Sequence, residues 1–202
     1  MFTEQSKEEF VHRAKEQPAY KKHKDITQFL LFAATHDTVP DETRKGLVKA
    51  SRVGMLDMLN YSTWATKDLT IEHVAPKGQA NGWPDELCED SGIVHRIGNL
   101  TLLPKRENQS VSNRSWQVKR LIYRILSSDT PDDIENLQFE ATEKGIELSS
   151  STDQILEGAQ YLPHVKAIGS VENEWDLNMI DQRSECLLLL AWTRIAPWIG
   201  LE

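Results

Sequence analysis

The stretch LTIEHV, residues 69–74, decides the fold. It is short and rich in β-branched residues, and Pro76 closes it, so it predicts a strand. The stretch NLTLL, residues 99–103, lies between a glycine and a proline and predicts a second short strand. Residues 77–94 hold several Gly and Pro and have little periodicity, which predicts a long loop between the two strands.

A helix is predicted after the second strand. Five apolar residues recur there at the spacing of one helix face, with Ser112 or Asn113 as the N-cap. They are Val118, Leu121, Ile122, Ile125 and Leu126. Strand, loop, strand and helix together form a predicted core at residues 67–128.

The flanking segments are predicted to be mainly helical. Residues 1–66 would form an N-terminal helical segment, with helices at 4–15, 25–35 and roughly 42–60, although Gly46 and Gly54 weaken the third. Residues 129–202 would form an acidic, mainly helical lobe ending in a helix over 175–198. The predicted fold class is α+β.

Charge is distributed unevenly along the 202 residues, whose formal net charge is −8. Residues 104–124 carry six basic side chains and one acid, a local charge of +5, so the rest of the chain sums to −13. This excludes a basic coat over the whole surface but allows a local phosphate-binding segment. The alternative for that segment is a solvated helix face.

Two features of the composition bear on the compartment. Two cysteines are too few for a disulfide framework or a four-thiolate zinc site, which favours a reducing, cytoplasmic setting. The start of the chain has no apolar core typical of a signal peptide, and the longest apolar run, residues 186–192, is too short to cross a bilayer. We therefore expect no membrane span.

Four residues suggest chemistry: Glu72, His73, Asn99 and Asn108. A carboxylate and an amide oxygen are hard ligands suited to Mg²⁺ or Mn²⁺, and a neutral imidazole can accept a proton from water. Neighbours on a regular strand point to opposite faces, so Glu72 and His73 share a site only if the strand ends or bends near Pro76. A hard metal, a base and basic residues nearby are what phosphodiester hydrolysis requires.

These residues resemble a known family. The motifs are EHVAP at 72–76 and HRIGNLTLLP at 95–104, followed by Asn108, Ser112-Asn113 and Lys119. They look like those of the HNH (His-Me finger) nucleases, and more narrowly of the C-terminal nuclease domain of GmrSD-type, modification-dependent restriction enzymes. Two departures are Glu72, where many HNH nucleases have Asp, and Asn108, where the family name implies a second His.

The resemblance implies a ββα-metal core embedded in a mostly helical domain. His73 would be the general base and Asn99 would tie the loop between the strands. Glu72 and Asn108 would hold one divalent ion, Mg²⁺ or Mn²⁺. His95 and Asn113 are secondary candidates. The basic residues expected to contact DNA phosphates are Lys105, Arg106, Arg114, Lys119 and Arg120.

The function so implied is a metal-dependent endonuclease or nicking domain that cleaves double-stranded DNA in restriction of phage or foreign DNA. An N-terminal sensing or nucleotide-hydrolysing region, or a partner protein, would deliver the substrate. One alternative is an inactive HNH-like module that binds nucleic acid or a partner. Another is a helical regulatory protein without a nucleic-acid role.

Several residues also have simpler structural interpretations. His95 can be an ordinary loop histidine, and Arg183 an ion-pair or capping residue. Trp83 and Trp116 could stack on bases, but core packing is the favoured reading. The remaining histidines show no partner pattern and are expected at the surface: His12, His23, His36 and His164.

Overall fold

The computed structural model describes residues 6–60, 69–78, 81–89, 92–146 and 162–201. Within these ranges, helices are joined to two small antiparallel sheets, so the α+β fold class is confirmed. The helices are α1 (Lys7–Ala14), α2 (Ala19–Lys22), α3 (Lys24–Thr35), α4 (Asp85–Glu89), α5 (Lys105–Val111), α6 (Trp116–Leu126), α7 (Pro131–Glu143), α8 (Pro163–Gly169) and α9 (Leu177–Ile195). The strands are β1 (Thr38–Pro40), β2 (Val48–Ala50), β3 (Leu69–His73) and β4 (Leu100–Pro104).

β3 and β4 form the antiparallel sheet that positions the site. Their register pairs Ile71 with Leu102 and His73 with Leu100. β4 is buried along most of its length, whereas β3 is partly exposed at its start. Both strands predicted from the sequence are confirmed, and α5 and α6 follow β4 directly along the chain.

The region between the two strands is more ordered than the predicted long loop. It contains α4 and two 3₁₀ turns, Ile93–His95 and Ile97–Asn99. The predicted helix after β4 is confirmed as α6, but its N-cap is Ser115 rather than Ser112 or Asn113. Ser112 instead ends α5 with a positive φ of 46°, so the chain turns there before α6 begins.

The helix predicted at 42–60 is absent from this part of the described chain. β1 and β2 form an antiparallel pair there, with Thr38 opposite Ala50. Gly46 and Gly54 have φ angles of 85° and 82°. Glycine adopts these positive angles readily, but they are incompatible with a right-handed α-helix. Gly46 is also tightly packed, since a Cβ there would lie 2.7 Å from the Met179 sulfur.

The other predicted helices agree with the structure within a few residues. α1 and α3 lie in the predicted ranges 4–15 and 25–35, of which residues 4 and 5 fall outside the described chain. α9 occupies most of 175–198, and its N-cap Asp176 accepts a hydrogen bond from the Met179 amide at 2.8 Å. The acidic segment after Ser127 also forms a helix, α7, which Thr130 caps.

Two buried apolar clusters hold these elements together. One joins β4, α6 and α8 around Trp175, and the other joins α3, β4 and α9 around Leu31 and Leu188. Trp83 and Trp116 are buried in the first cluster, as core packing predicts. α9 contributes to both clusters, so the N-terminal and C-terminal segments pack on the same central sheet. The division at 1–66, 67–128 and 129–202 stays a prediction, and its first boundary lies outside the described residues.

The helices of the described ranges were compared with the requirements of a membrane span. None of them is both long enough and apolar enough to cross a bilayer.

Arg183 of α9 is fully buried and anchors the backbone near the site. Its guanidinium donates to the carbonyls of Gly98, Gly46 and Leu100 at 2.8, 2.7 and 3.2 Å. Burial lowers the pKa of Arg183 to about 10, so it stays cationic at neutral pH. The ion-pair or capping role expected from the sequence is therefore replaced by one of binding carbonyls from three separate segments.

His164 of α8 is buried, so the expectation of a surface position is wrong. Its Nε2 lies 2.9 Å from the Leu102 carbonyl, and its Nδ1 is buried without a hydrogen-bond partner. Burial lowers the pKa of His164 to about 4. The neutral imidazole is therefore part of the folded core.

We expect acid to destabilise the fold through His164. Between pH 6.5 and 4 the unfolded chain binds a proton that the folded chain does not, so the free energy of unfolding falls as pH falls. From pH 7 to 5 this residue alone contributes a loss of about 2 kcal/mol. Urea unfolding of wild type and His164→Gln across this range measures it. The variant is expected to be less stable at pH 7 but less sensitive to pH, and equal pH slopes for the two proteins would contradict the assignment.

Candidate active site

The side chain of Asn99 ties the chain after β3 to the chain before β4. Its Nδ2 donates to the carbonyls of Ala75 and Val94 at 2.8 and 2.9 Å. Its Oδ1 accepts from the Ala75 amide at 2.8 Å and from the Trp175 indole at 3.0 Å. All four hydrogen-bonding positions of this fully buried amide are thus used. This is the tie between the two segments that the resemblance implied.

Gly98 brings the same segment into close contact with α9. A Cβ at this position would lie 1.9 Å from the Ile180 carbonyl oxygen, so no other residue fits without moving the helix. The Gly98 amide donates to the Ser184 hydroxyl at 3.0 Å. The Gly98-Asn99 pair therefore fixes the sheet edge against the C-terminal helix.

The Asn99 tie brings two histidines together. His73 lies two residues before Ala75, and His95 directly follows Val94. The Nε2 of His73 is 3.1 Å from the Nδ1 of His95, and the two rings are nearly perpendicular at 87°. His95, a secondary candidate in the sequence, is therefore a direct neighbour of the candidate base and not an isolated loop histidine.

Tyr20 of α2 covers this pair and was missed by the sequence analysis. Its ring meets His73 edge-on with centroids 4.6 Å apart, and it lies parallel to His95 at 5.7 Å. His73 is consequently only 5% exposed. The one available signal was local: Tyr20 is an aromatic residue beside a run of lysines, a combination found at nucleic-acid interfaces.

Both histidines are neutral at pH 7. The pKa of His73 is lowered to about 3, mainly by burial, with electrostatic interactions with Lys77, His95 and Lys119 acting in the same direction. Burial also lowers the pKa of His95, with Lys21 and Lys77 contributing in the same direction. His73 therefore has the protonation state that a general base requires.

Glu72 has different neighbours from His73. Its carboxylate accepts from the Lys119 ammonium at 2.7 Å, and the Tyr123 hydroxyl lies 3.4 Å away. Lys119 also donates to the His73 carbonyl at 2.7 Å and is 1% exposed. Burial raises the pKa of Glu72 and lowers that of Lys119, while their mutual attraction opposes both shifts. The pair is a buried ion pair beneath the sheet.

This ion pair corrects the expectation that Lys119 contacts DNA phosphates. Its ammonium lies inside the protein and is bound by Glu72, so it is out of reach of a DNA backbone. A lysine on a helix with several basic neighbours is ordinarily a surface residue. Here its partner lies 47 residues earlier in the chain, which the local pattern does not reveal.

The implied metal ligands do not fit a shared centre with His73 in this arrangement. The Nδ2 of Asn108 donates to the Thr70 hydroxyl at 2.9 Å and the Ile71 carbonyl at 3.1 Å. Thr70 and Glu72 project from one face of β3, and His73 from the opposite face. One oxygen of Glu72 is already bound by an ammonium. Among the described residues, His, Cys, Asp and Glu form no group of three that could hold a metal.

The other predicted site residues, which are four DNA contacts and the secondary candidate Asn113, lie in varied settings. Lys105 and Arg106 are exposed in the first turn of α5, and Asn113 is exposed before α6. The Arg114 carbonyl accepts a hydrogen bond from the Trp83 indole at 3.0 Å. Arg120 is half-buried, donates to the Gly169 carbonyl at 3.3 Å, and lines a cavity of about 440 Å³.

Two exposed lysines outside the predicted set lie near the histidine pair. The charge of Lys77 lowers the pKa of both imidazoles, and that of Lys21 lowers the pKa of His95.

Comparison with protein families supports the resemblance over most of the chain. The model for GmrSD restriction endonucleases, C-terminal domain, matches residues 4–190. The chain belongs to this family. The match extends well beyond the motifs of residues 69–123 and includes α2, which carries Tyr20, and most of α9. A comparison with curated proteins finds no match.

We expect Asn99→Ala to destabilise the protein strongly. The substitution leaves four buried partners without a hydrogen bond, and each unsatisfied group costs about 1–3 kcal/mol. A loss of at least about 3 kcal/mol in the free energy of unfolding is expected by urea unfolding. Asn113→Ala, at an exposed asparagine, is the control and should stay within about 0.5 kcal/mol of wild type. Equal effects of the two substitutions would contradict the role of Asn99.

Lys119→Met tests the buried ion pair. It leaves the Glu72 carboxylate buried without its cation, a change that typically costs about 3–5 kcal/mol. The double variant Glu72→Gln/Lys119→Met removes both charges and is expected to recover part of this loss. Lys105→Met, at an exposed lysine, is the matched control. If Lys119→Met were no more destabilising than Lys105→Met, the ion pair would not support the fold.

Proposed function

We propose that the chain is a DNA-cleaving domain of a restriction system and that His73 is its general base. The observation that carries this proposal is the pair of neutral imidazoles held 3.1 Å apart by the Asn99 tie. The family name supports the reaction class, that of a restriction endonuclease, and DNA as the substrate. We propose double-stranded DNA. Modification-dependent restriction of phage or foreign DNA is the finer form of this proposal.

The proposed reaction is hydrolysis of a phosphodiester bond. His73 accepts a proton from a water molecule as the water oxygen attacks phosphorus. The bond from phosphorus to the 3′-oxygen breaks, and the 3′-oxygen takes up a proton to leave 5′-phosphate and 3′-hydroxyl ends. The task of the protein is then to orient a neutral imidazole and to deliver a phosphate to it.

His95 is proposed to position His73 within this reaction. With a ring nitrogen of each residue at hydrogen-bond distance, one imidazole donates and the other accepts, which fixes the tautomer and orientation of both. An approaching phosphate is anionic and therefore favours the protonated form of His73. This opposes the effect of burial at the moment when the base is needed.

Dependence on Mg²⁺ or Mn²⁺ is proposed from the resemblance alone. Since Glu72 is bound by Lys119 and faces away from His73, the proposed reaction assigns no step to a metal ion. An N-terminal sensing or nucleotide-hydrolysing region, or a partner protein, remains the proposed means of substrate delivery. The net charge of −8 supports this, because it weakens the intrinsic attraction of this chain for DNA.

Two observations favour the alternative of a non-catalytic module that binds nucleic acid. The Tyr20 ring covers His73, and the carboxylate expected to hold the metal is bound by a lysine. Such a module would retain DNA in a salt-sensitive manner without cutting it. The two proposals therefore both predict DNA binding, but only the first predicts DNA cleavage.

A plasmid-nicking assay with His73→Ala tests the proposal. Supercoiled DNA is incubated with wild type, His73→Ala and His12→Ala, each with Mg²⁺, Mn²⁺ or excess EDTA. We expect wild type and His12→Ala to convert the plasmid to nicked or linear forms only with metal. His73→Ala should be slower by about 10²- to 10⁴-fold, the usual contribution of a general base.

The outcomes of this assay test the role of His73, the non-catalytic alternative and the metal dependence separately. Undiminished cutting by His73→Ala would exclude His73 as the base. Binding without cutting by wild type under all three metal conditions would favour the non-catalytic module. Cutting in excess EDTA would contradict the proposed metal dependence while leaving the role of His73 intact.

A further inference from the structure

Three exposed lysines converge on the covered histidine pair from separate parts of the chain. Lys24 of α3 and Lys77 after β3 place their ammonium groups 5.8 and 5.4 Å from the centre of the Tyr20 ring. Lys21 follows Tyr20 in α2, and its charge acts on His95. The N-terminal helices and the chain after β3 therefore build one basic surface beside His73.

Within the described parts of the chain, these three lysines have no carboxylate partner. None of Lys21, Lys24 and Lys77 forms an ion pair with another described residue, and Asp25, the sequence neighbour of Lys24, pairs with none of them. By contrast, Lys166 and Arg124 both have carboxylate partners. Three exposed cations without an ion pair to a described residue stand out in a chain of net charge −8, and exposed charges act over about 8–10 Å.

We propose that Lys21, Lys24 and Lys77 form the surface that binds the phosphates of a nucleic-acid backbone next to His73. The identification of the ligand as a DNA backbone rests on the proposed function. This surface is separate from the basic segment at residues 104–124 that the sequence suggested. One of that segment's cations, Lys119, is buried, and another, Arg124, is paired with Glu140.

Tyr20 connects this lysine surface to the two histidines. Its ring packs on both imidazoles, and the ammonium groups of Lys24 and Lys77 lie within cation–π range of it. Lys21, Lys24 and Lys77 are all exposed. A phosphate bound by these ammonium groups would therefore lie beside the Tyr20 ring that packs on His73 and His95.

Binding of a fluorescent duplex in excess EDTA tests the surface without cleavage. The test variant is Lys21→Gln/Lys24→Gln/Lys77→Gln. The control, Lys7→Gln/Lys49→Gln/Arg52→Gln, removes the same charge from exposed positions outside both the lysine surface and residues 104–124. Fluorescence anisotropy is recorded over a series of salt concentrations. The test variant is expected to bind at least about 10-fold more weakly at low salt, with a salt slope smaller by roughly 2–3, while the control stays within about 3-fold of wild type.

Three results of the binding experiment would overturn the inference. They are an unchanged affinity for the test variant, an equal or larger loss for the control, and wild-type binding that is absent or insensitive to salt even at low salt. Failure of the proposed function is distinguishable by plasmid cleavage. If wild type binds through these lysines but never cuts, the binding surface is supported and the proposed catalytic function is contradicted. If the triple lysine variant cuts normally, the proposed binding surface is contradicted and the catalytic function is supported.

Discussion

The candidate site depends on the hydrogen bonds of one buried amide, that of Asn99. Its two donors and two acceptor positions are satisfied by Ala75, Val94 and Trp175, so the segments that carry the two histidines are fixed relative to each other. Trp175 adds the start of the C-terminal region to the same network. Because an unsatisfied buried polar group is costly, this arrangement strongly disfavours other relative positions of the two segments. The histidine pair follows from that constraint.

The C-terminal helix α9 also fixes the backbone around Asn99. Gly98 allows α9 to approach the backbone, and Arg183 of α9 binds the carbonyls on both sides of Asn99. The stretch around Asn99 is therefore held by side-chain hydrogen bonds on one side and a helix on the other. β3 then separates two kinds of group by its alternation. Glu72 turns towards Lys119 and stabilises the interior, while His73 turns towards His95 and Tyr20.

Local patterns in the sequence predicted the elements but not their partners. β3, β4, α6 and α9 were predictable because apolar periodicity and Pro or Gly boundaries are local signals. The helix expected at 42–60 failed because β1 and β2 pair with each other, and Gly46 adopts a left-handed backbone that packs on Met179. The burial of Lys119 and of His164 depends on residues 47 and 62 positions away, so neither could be inferred locally. The contribution of Tyr20 depends likewise on where the N-terminal helices dock.

The central claim is that folding around Asn99 holds His73 and His95 together as neutral, hydrogen-bonded imidazoles. Long-range proton–nitrogen NMR of the ring nitrogens tests it most directly, with His73→Gln and His95→Gln used to assign the signals. The account predicts that His73 stays neutral from pH 8 to 5 and keeps a ring N–H protected by its neighbour, because burial lowers its pKa to about 3. A His73 that titrates near pH 6.5, the usual imidazole value, with freely exchanging ring protons, would contradict the account.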